Sequence, residues 1–139
     1  MAGNNAIIED CGIHHVAIRA YDFEASVKFY TEALGFTEKI AWGDGDGKAV
    51  MLDTGDGNYL EIFARGQDGP KSEGSILHFA LRTDDCDGAL ERAKSAGAEV
   101  TMEPKYIDIP SRPTSTPVRI AFCKGPDGET IEFLQNEIT

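Results

Sequence analysis

The stretch Asp127–Leu134, which reads DGETIEFL, decides the fold because its pattern is written a second time as DGNYLEIF at Asp56–Phe63. Each copy begins with an Asp-Gly pair that favours a tight turn and ends with an apolar residue, a glutamate and two more apolar residues. The pattern predicts two strands, each entered through a turn and each carrying a carboxylate at its centre. These carboxylates, Glu61 and Glu132, need an explanation, since a glutamate is rarely buried without a partner.

The repetition extends upstream of both strands. HVAIR at 15–19 aligns with HFALR at 78–82, so each half also begins with a strand that starts at a histidine. A helical pattern and further strand patterns separated by turn residues follow in each half. The predicted order of elements is therefore βαβββ, twice, which is an α+β fold built from two paired modules.

Each half contains one amphipathic helix. Asp22 and Asp85 occupy the same position relative to the two histidines, and glycines at nearly matched positions, Gly35 and Gly97, are the expected helix ends. The spacing predicts a first module at 12–64, a linker at 65–75 that is rich in glycine and charge, and a second module at 76–136.

The second half is predicted to differ from the first in one segment. Its strand candidates Glu99–Glu103 and Val118–Lys124 are separated by a proline-rich stretch, 104–117, which we predict to be irregular. Long loops in compact domains are often lids over a site. A surface loop without a function is the alternative.

Composition narrows the class of protein. The chain has 139 residues and a formal net charge of −11, which opposes binding to nucleic acids and to anionic membranes. Its three cysteines are widely spaced and form no C-x-x-C pair, so neither a disulfide framework nor a zinc knuckle is predicted. No targeting segment or apolar membrane span is recognised, and we expect a cytoplasmic protein whose partners are small molecules and other subunits.

Alternation along the strands predicts which side chains share a face. His15, Ala17 and Arg19 lie on one face of the first strand, and Glu61 lies on the corresponding face of the last strand of the same module. The second module repeats this arrangement. The side chains expected to face away from the helices are His15, Arg19, Tyr59, Glu61, Phe63, His78, Arg82 and Glu132.

Two histidines and two glutamates at matched positions of a repeat predict a metal site. A pseudo-twofold between the modules would bring His15, Glu61, His78 and Glu132 together, and imidazoles with carboxylates suit a divalent first-row ion. A lone strand histidine or glutamate is more often a core or solvated residue, but independent accidents do not repeat in register. His14 has no histidine at its partner position and is left out.

The motifs HVAIR, LEIF, HFAL and IAF-x-x-GPDG-x-x-IEFL resemble those of the vicinal oxygen chelate superfamily, and within it glyoxalase I, over residues 12 to 136. The resemblance implies a cupped, incompletely closed mixed sheet, a homodimer and a divalent ion held by the four residues named above. Nickel and zinc are the first candidates for this ion, and cobalt, manganese and ferrous iron are the alternatives. No organic cofactor is implied.

The resemblance also implies a reaction. Glyoxalase I converts the hemithioacetal of methylglyoxal and glutathione into a lactoyl thioester through a metal-stabilised enediolate. Glu132 is our candidate for the base, with Glu61 second, and Arg19 occupies the position that binds the glutathione carboxylate. Arg65 stands where the family places an asparagine, so the identity of the thiol is left open. An alternative role for Arg19 and Arg82 is a salt bridge.

Other members of the superfamily supply the alternatives. An epimerase acting on an acyl thioester would use two carboxylate bases around the same ion. An extradiol dioxygenase would hold ferrous iron through two histidines and one carboxylate, and the fourth ligand disfavours it. An antibiotic-resistance protein of the superfamily is the remaining option. Trp42, Tyr59 and Phe63 are candidates for the wall of the pocket, with ordinary packing on the strands as the alternative.

Overall fold

A computed structural model describes residues 7, 13, 15–67, 78–111 and 113–138. The chain divides into two compact units, Met1–Asp68 and Gly69–Thr139. Each unit contains one mixed four-stranded sheet and one helix in the order βαβββ, which confirms the predicted fold class. The predicted module boundaries stay a prediction, and most of the predicted linker lies outside the described residues.

The first unit is built from five main elements. They are β1 (His15–Arg19), α1 (Phe23–Lys28), β2 (Thr37–Trp42), β3 (Ala49–Asp53) and β4 (Tyr59–Phe63). The strand order is β1-β4-β3-β2, with β1 parallel to β4 and the other neighbours antiparallel. The parallel pair therefore joins the first and last strands of the unit at one side of the sheet.

The second unit repeats this topology. Its elements are β5 (Phe79–Arg82), α2 (Cys86–Ser95), β6 (Glu99–Ile109), β7 (Thr116–Lys124) and β8 (Thr130–Gln135). The order is β5-β8-β7-β6, and β5 is parallel to β8. Neither of the described helices, α1 or α2, is long and apolar enough to cross a membrane.

The matched aspartates of the repeat begin the two helices. The Asp22 carboxylate accepts a hydrogen bond from the Ala25 amide at 3.0 Å, and the Asp85 carboxylate accepts one from the Gly88 amide at 2.9 Å. Each satisfies an amide that the first helical turn leaves unpaired. The equivalence of these residues was visible in the sequence, but their capping role was not predicted.

The helices end as their glycines predict. Gly35 and Gly97 adopt φ values of +76° and +95°, the left-handed conformation that glycine tolerates best. Before Gly35, α1 passes into a π-helical turn, Phe29–Ala33, which the sequence did not predict. Two aromatic side chains at the start of this turn, Phe29 and Tyr30, are buried and meet edge to face.

Alternation in the last strand of each unit matches the prediction. In β4 Leu60 and Ile62 are buried, and in β8 Ile131 and Phe133 are buried. The intervening side chains, Glu61 among them, are only partly covered. The helix α1 contacts β4 and α2 contacts β6, β7 and β8, so the apolar core of each unit lies between its helix and its sheet.

The prediction that residues 104–117 are irregular is wrong. β6 continues to Ile109 and β7 begins at Thr116, and residues Lys105–Ile109 pair with residues from Thr116 to Ile120. The prolines misled the sequence analysis because proline usually interrupts a strand, but β6 is an edge strand and Pro104 lies where the register shifts between Met102 and Lys105. Residues 104–109 and 116–117 therefore belong to a long antiparallel strand pair, and the prediction of a long irregular lid fails.

Candidate metal centre

The first unit brings His15 and Glu61 together. The two residues lie on the neighbouring parallel strands β1 and β4, and Glu61 is directly opposite Ala17, two residues beyond the histidine. His15 Nε2 is 3.4 Å from Glu61 Oε2. The imidazole is 38% exposed and the carboxylate side chain only 12%, so the pair has a covered donor and an accessible one.

The second unit forms the same pair. His78 directly precedes β5, and Glu132 on β8 is directly opposite Ala80, again two residues beyond the histidine. His78 Nε2 lies 3.0 Å from Glu132 Oε2, with side-chain exposures of 40% and 13%. The repeat in the sequence is therefore a repeat of strand register and of side-chain geometry.

An apolar residue lies opposite the glutamate of each pair on the neighbouring antiparallel strand. Met51 on β3 lies opposite Glu61, and Phe122 on β7 lies opposite Glu132. The Phe122 ring also meets the His78 imidazole edge to face, with centroids 5.5 Å apart. A carboxylate held among apolar groups is costly unless a cation or hydrogen-bond donor accompanies it. The contact with Phe122 was missed because it depends on the pairing of β7 with β8.

The geometry of each pair fits two ligands of one divalent ion. Ligand atoms about 2.1 Å from an ion lie about 3.0 Å apart at a right angle and about 3.4 Å apart at a tetrahedral angle. The measured separations are 3.0 and 3.4 Å. Imidazole nitrogen with carboxylate oxygen is also a donor set that suits nickel, zinc and cobalt.

Among the described residues, these donors form two separate His–Glu pairs. Within residues 15–67, 78–111 and 113–138 the structure contains no group of three or more histidine, cysteine, aspartate or glutamate side chains suited to one ion. Each unit thus supplies one histidine and one glutamate. The set of four ligands stays a prediction, as does its use of one ion.

Arg19 lies on the same face as His15, as predicted. Its Nη1 donates a hydrogen bond to the Ala64 carbonyl at 2.9 Å, and its guanidinium lies over the Phe63 ring, 5.6 Å from the centroid. A guanidinium suits carboxylates because its N–H donors match their two oxygens, which is the basis of the predicted substrate-binding role. That role stays a prediction. Arg82 is in the equivalent position of the second unit, opposite Leu134.

Arg65 has an unusual backbone conformation. Its φ is +68°, in the left-handed region, and its Nε lies 3.9 Å from the exposed Asp46 carboxylate. The next residue, Gly66, donates its amide to the Ala20 carbonyl at 2.7 Å. The chain after β4 is therefore held closely against the end of β1, where Arg19 is located.

The aromatic residues proposed from the sequence as pocket walls occupy the same face of the first sheet. Tyr59 is opposite His15 in the strand register. Trp42 and Phe63 meet edge to face with centroids 6.1 Å apart and planes at 81°. The sequence indicated these residues singly, but their contact depends on strand order and could not be read from it.

Residues 12–133 match the family model described as the Glyoxalase/Bleomycin resistance protein/Dioxygenase superfamily. The match covers both units and includes all four predicted ligands.

Similar chains extend over nearly the same length. An uncharacterized protein of Bacillus subtilis (strain 168), YwbC, is 33% identical over 127 residues, which cover 88% of this chain and 96% of the relative. The lactoylglutathione lyase of Haemophilus influenzae (strain KW20 / Rd) is 30% identical, with coverage of 91% and 94%. Among solved structures, TnmS3, an antibiotic binding protein from Streptomyces sp. CB03234, has a TM-score of 0.70. The match covers 96% of this chain and 100% of TnmS3. The two sequences are 24% identical, so the likeness concerns the fold alone.

Proposed function

The chain belongs to the Glyoxalase/Bleomycin resistance protein/Dioxygenase superfamily, and we propose that it is a divalent-metal-dependent lyase of the glyoxalase I kind. It converts the hemithioacetal of an α-oxoaldehyde and a thiol into a 2-hydroxyacyl thioester, and methylglyoxal detoxification is the corresponding physiological role. The observation that carries this proposal is the pair of His–Glu contacts at identical register in the two units.

The donor set supports a metal-dependent reaction. His15, Glu61, His78 and Glu132 would hold the ion, with nickel or zinc as the first candidates, and a binding protein would be expected to lack one or more of these ligands. When bound, the ion supplies Lewis-acid stabilisation of the negative charge that develops on the two neighbouring substrate oxygens. Relatives named lactoylglutathione lyase, at about 30% identity, favour the same chemistry.

The protein side chains have separate roles in this reaction. Glu132 removes the proton from the carbon that bears sulfur and returns it to the adjacent carbon, and the hydroxyl proton moves to the second oxygen. No oxidant is required because one carbon is oxidised as its neighbour is reduced. Glu132 suits this role because its side chain is only 13% exposed and lies opposite Phe122 in the strand register, which limits its contact with water. Glu61 is the second candidate.

Arg19 is proposed to orient the substrate through a carboxylate of the thiol. It lies four residues from His15 on the same face, and its hydrogen bond to the Ala64 carbonyl holds the guanidinium at the end of β1. The family resemblance also supports a homodimer, which we propose here. The proposed ligands are small molecules, not nucleic acids or membranes.

The test is thioester formation from the hemithioacetal of methylglyoxal and glutathione, followed by ultraviolet absorbance. Protein reconstituted separately with nickel and with zinc is assayed after its metal content has been measured. We expect turnover with at least one ion and none after chelation. Metal-loaded protein that forms no thioester with glutathione would exclude glutathione as the thiol, and failure with other small thiols as well would overturn the lyase proposal and favour an epimerase or a binding role.

A further inference from the structure

A row of side chains crosses the first sheet beside the His15–Glu61 pair. Arg19 is opposite Phe63, Phe63 is opposite Ala49, and Ala49 is opposite Trp42. Directly paired residues project from the same face of a sheet, so all four share the face of Glu61, which is two residues before Phe63.

Ala49 allows the two rings of this row to meet. Trp42 and Phe63 lie on strands that β3 separates, yet their centroids are only 6.1 Å apart because the residue between them is small. Ala49 itself is 1% exposed. The planes meet at 81°, so the rings form two sides of an aromatic corner, with Ala49 at its base.

Trp42 remains accessible in this corner. Its side chain belongs to the exposed large apolar residues, at 39%, whereas Phe63 is only partly exposed and has the Arg19 guanidinium over its ring. A third ring can stack on one side of such a corner and meet the other edge to face, the two arrangements that aromatic groups prefer.

Among the described strands of the second unit, the equivalent row carries no aromatic residue. The row that contains Arg82 continues with Leu134, Ile120 and Lys105. The repeat therefore preserves the His–Glu pair and the arginine, while the aromatic corner belongs to the first unit. A feature that departs from the repeat, next to a pair that the repeat retains, is suited to selecting a ligand and not to holding the ion.

We propose that the aromatic corner of Trp42 and Phe63 selects ligands that carry a flat aryl group next to the two oxygens bound at the metal. This inference rests on the proposed function for the position of the oxygens. Phe63 lies about 7 Å along β4 from Glu61, a separation that one small molecule spans. The substrate class would then be an α-oxoaldehyde adduct with an aryl substituent, favoured over the methyl compound.

Two hydroxamic acids test the corner apart from the reaction. Benzohydroxamate and acetohydroxamate present the same pair of adjacent oxygens, and only the first carries an aryl ring. Their affinities are measured by calorimetry on nickel-loaded protein and on metal-free protein. Trp42 is the one tryptophan of the chain, so its fluorescence reports on the corner directly. We expect benzohydroxamate to bind about tenfold more tightly and to quench this fluorescence.

Variants distinguish the corner from a general effect on the fold. Trp42→Leu and Phe63→Leu should bring the two affinities close together without changing acetohydroxamate binding or metal content. Trp42→Phe should retain most of the preference, and Tyr21→Leu, which removes an exposed aromatic side chain outside the row, should retain all of it.

The outcomes separate the two proposals. Equal affinity of the two compounds for native metal-loaded protein, or an unchanged preference in Trp42→Leu, would overturn the aryl proposal and leave the metal site intact. Protein that takes up no metal would overturn the proposed function. In that case saturable quenching of Trp42 by benzohydroxamate alone would still support the corner, and its absence would overturn the corner too.

Discussion

The imidazole of His78 lies 3.0 Å from the carboxylate of Glu132, and the same contact recurs between the equivalent residues of the first unit. The two pairs are formed by the same offset across a parallel strand pair. This agreement leads us to expect specific effects of substitutions on metal binding. Contacts within each unit lead to expectations about stability.

Removing one ligand of the second pair should abolish metal-dependent activity without unfolding the protein. His78→Ala and Glu132→Gln are each expected to lower turnover by roughly 100-fold or more because the ion loses a donor and, in the second variant, the base is lost as well. Metal content, far-ultraviolet circular dichroism and thioester formation are the measurements.

Glu99→Gln provides the matched control for these variants. It neutralises an exposed strand glutamate of the same unit and should keep both metal and activity. Full activity in both His78→Ala and Glu132→Gln would contradict the metal-site interpretation.

The close approach after β4 should make Gly66 intolerant of a side chain. A Cβ at Gly66 would meet the backbone of Ala20 and Tyr21 at 2.4 to 2.6 Å, which cannot be relieved by a side-chain rotation. We expect Gly66→Ala to lower the free energy of unfolding by about 3 kcal/mol. Denaturant titration measures the change.

Gly47→Ala is the matched substitution. A Cβ at Gly47 meets nothing within 4 Å, and the change in stability should stay within about 0.5 kcal/mol. Equal stability of the two alanine variants would show that the chain after β4 is not packed as described.

The ion pair between α2 and β7 should stabilise the second unit in a pH-dependent manner. Arg119 donates two hydrogen bonds to the Asp87 carboxylate, at 2.5 and 2.6 Å. These bonds hold the pKa of Asp87 below its ordinary value of 3.8. A depressed pKa means that the stabilisation is present above the unfolded pKa and is lost as the pH falls through the folded pKa.

We therefore expect Asp87→Asn to lower the melting temperature near neutral pH. The difference from the native protein should narrow as the pH is reduced to about 3. Melting curves over this range, with Asp84→Asn as a control in the preceding loop, provide the measurement. A difference that does not change with pH would contradict an ionic origin.

The buried thiol of Cys123 should make the protein sensitive to alkali. Burial raises the pKa of Cys123 to about 11, from an ordinary value of 9.0. With a raised pKa, the folded protein keeps the proton where the unfolded chain releases it, so stability is full below the unfolded pKa and is lost as the pH rises toward the folded pKa.

The loss attributable to this group should reach about 2 to 3 kcal/mol. It is measured as the difference in unfolding free energy between native protein and Cys123→Ala, followed from about pH 8 to about pH 11. Parallel curves for the two proteins would exclude this linkage. The native thiol should also react slowly with a disulfide reagent until the protein is unfolded, since it is fully buried.

Much of the geometry of the candidate site could be predicted from the sequence, because strand faces depend on local positions in the chain. Side chains alternate along a strand, so the faces of His15 and Glu61 followed from their positions within HVAIR and YLEIF. Their contact required only that the two strands be neighbours. The repeat supplied the second instance, and the burial of Leu60 and Ile62 on the opposite face agrees with the pattern.

Features that depend on pairing between distant strands were not accessible. The contact of Trp42 with Phe63 requires Ala49 to lie between them, and the contact of Phe122 with His78 requires the register of β7 against β8. The extension of β6 past Pro104 was predicted wrongly because local proline signals say nothing of a partner strand that continues the ladder.

The β2–β3 hairpin of the first unit and the β6–β7 hairpin of the second differ greatly in length. β6 and β7 contain eleven and nine residues, whereas β2 and β3 contain six and five. The parallel pairs β1–β4 and β5–β8 keep the same register despite this difference. The register that brings each histidine to its glutamate is therefore independent of hairpin length, so shortening β6 and β7 to the length of β2 and β3 should leave both donor pairs in place.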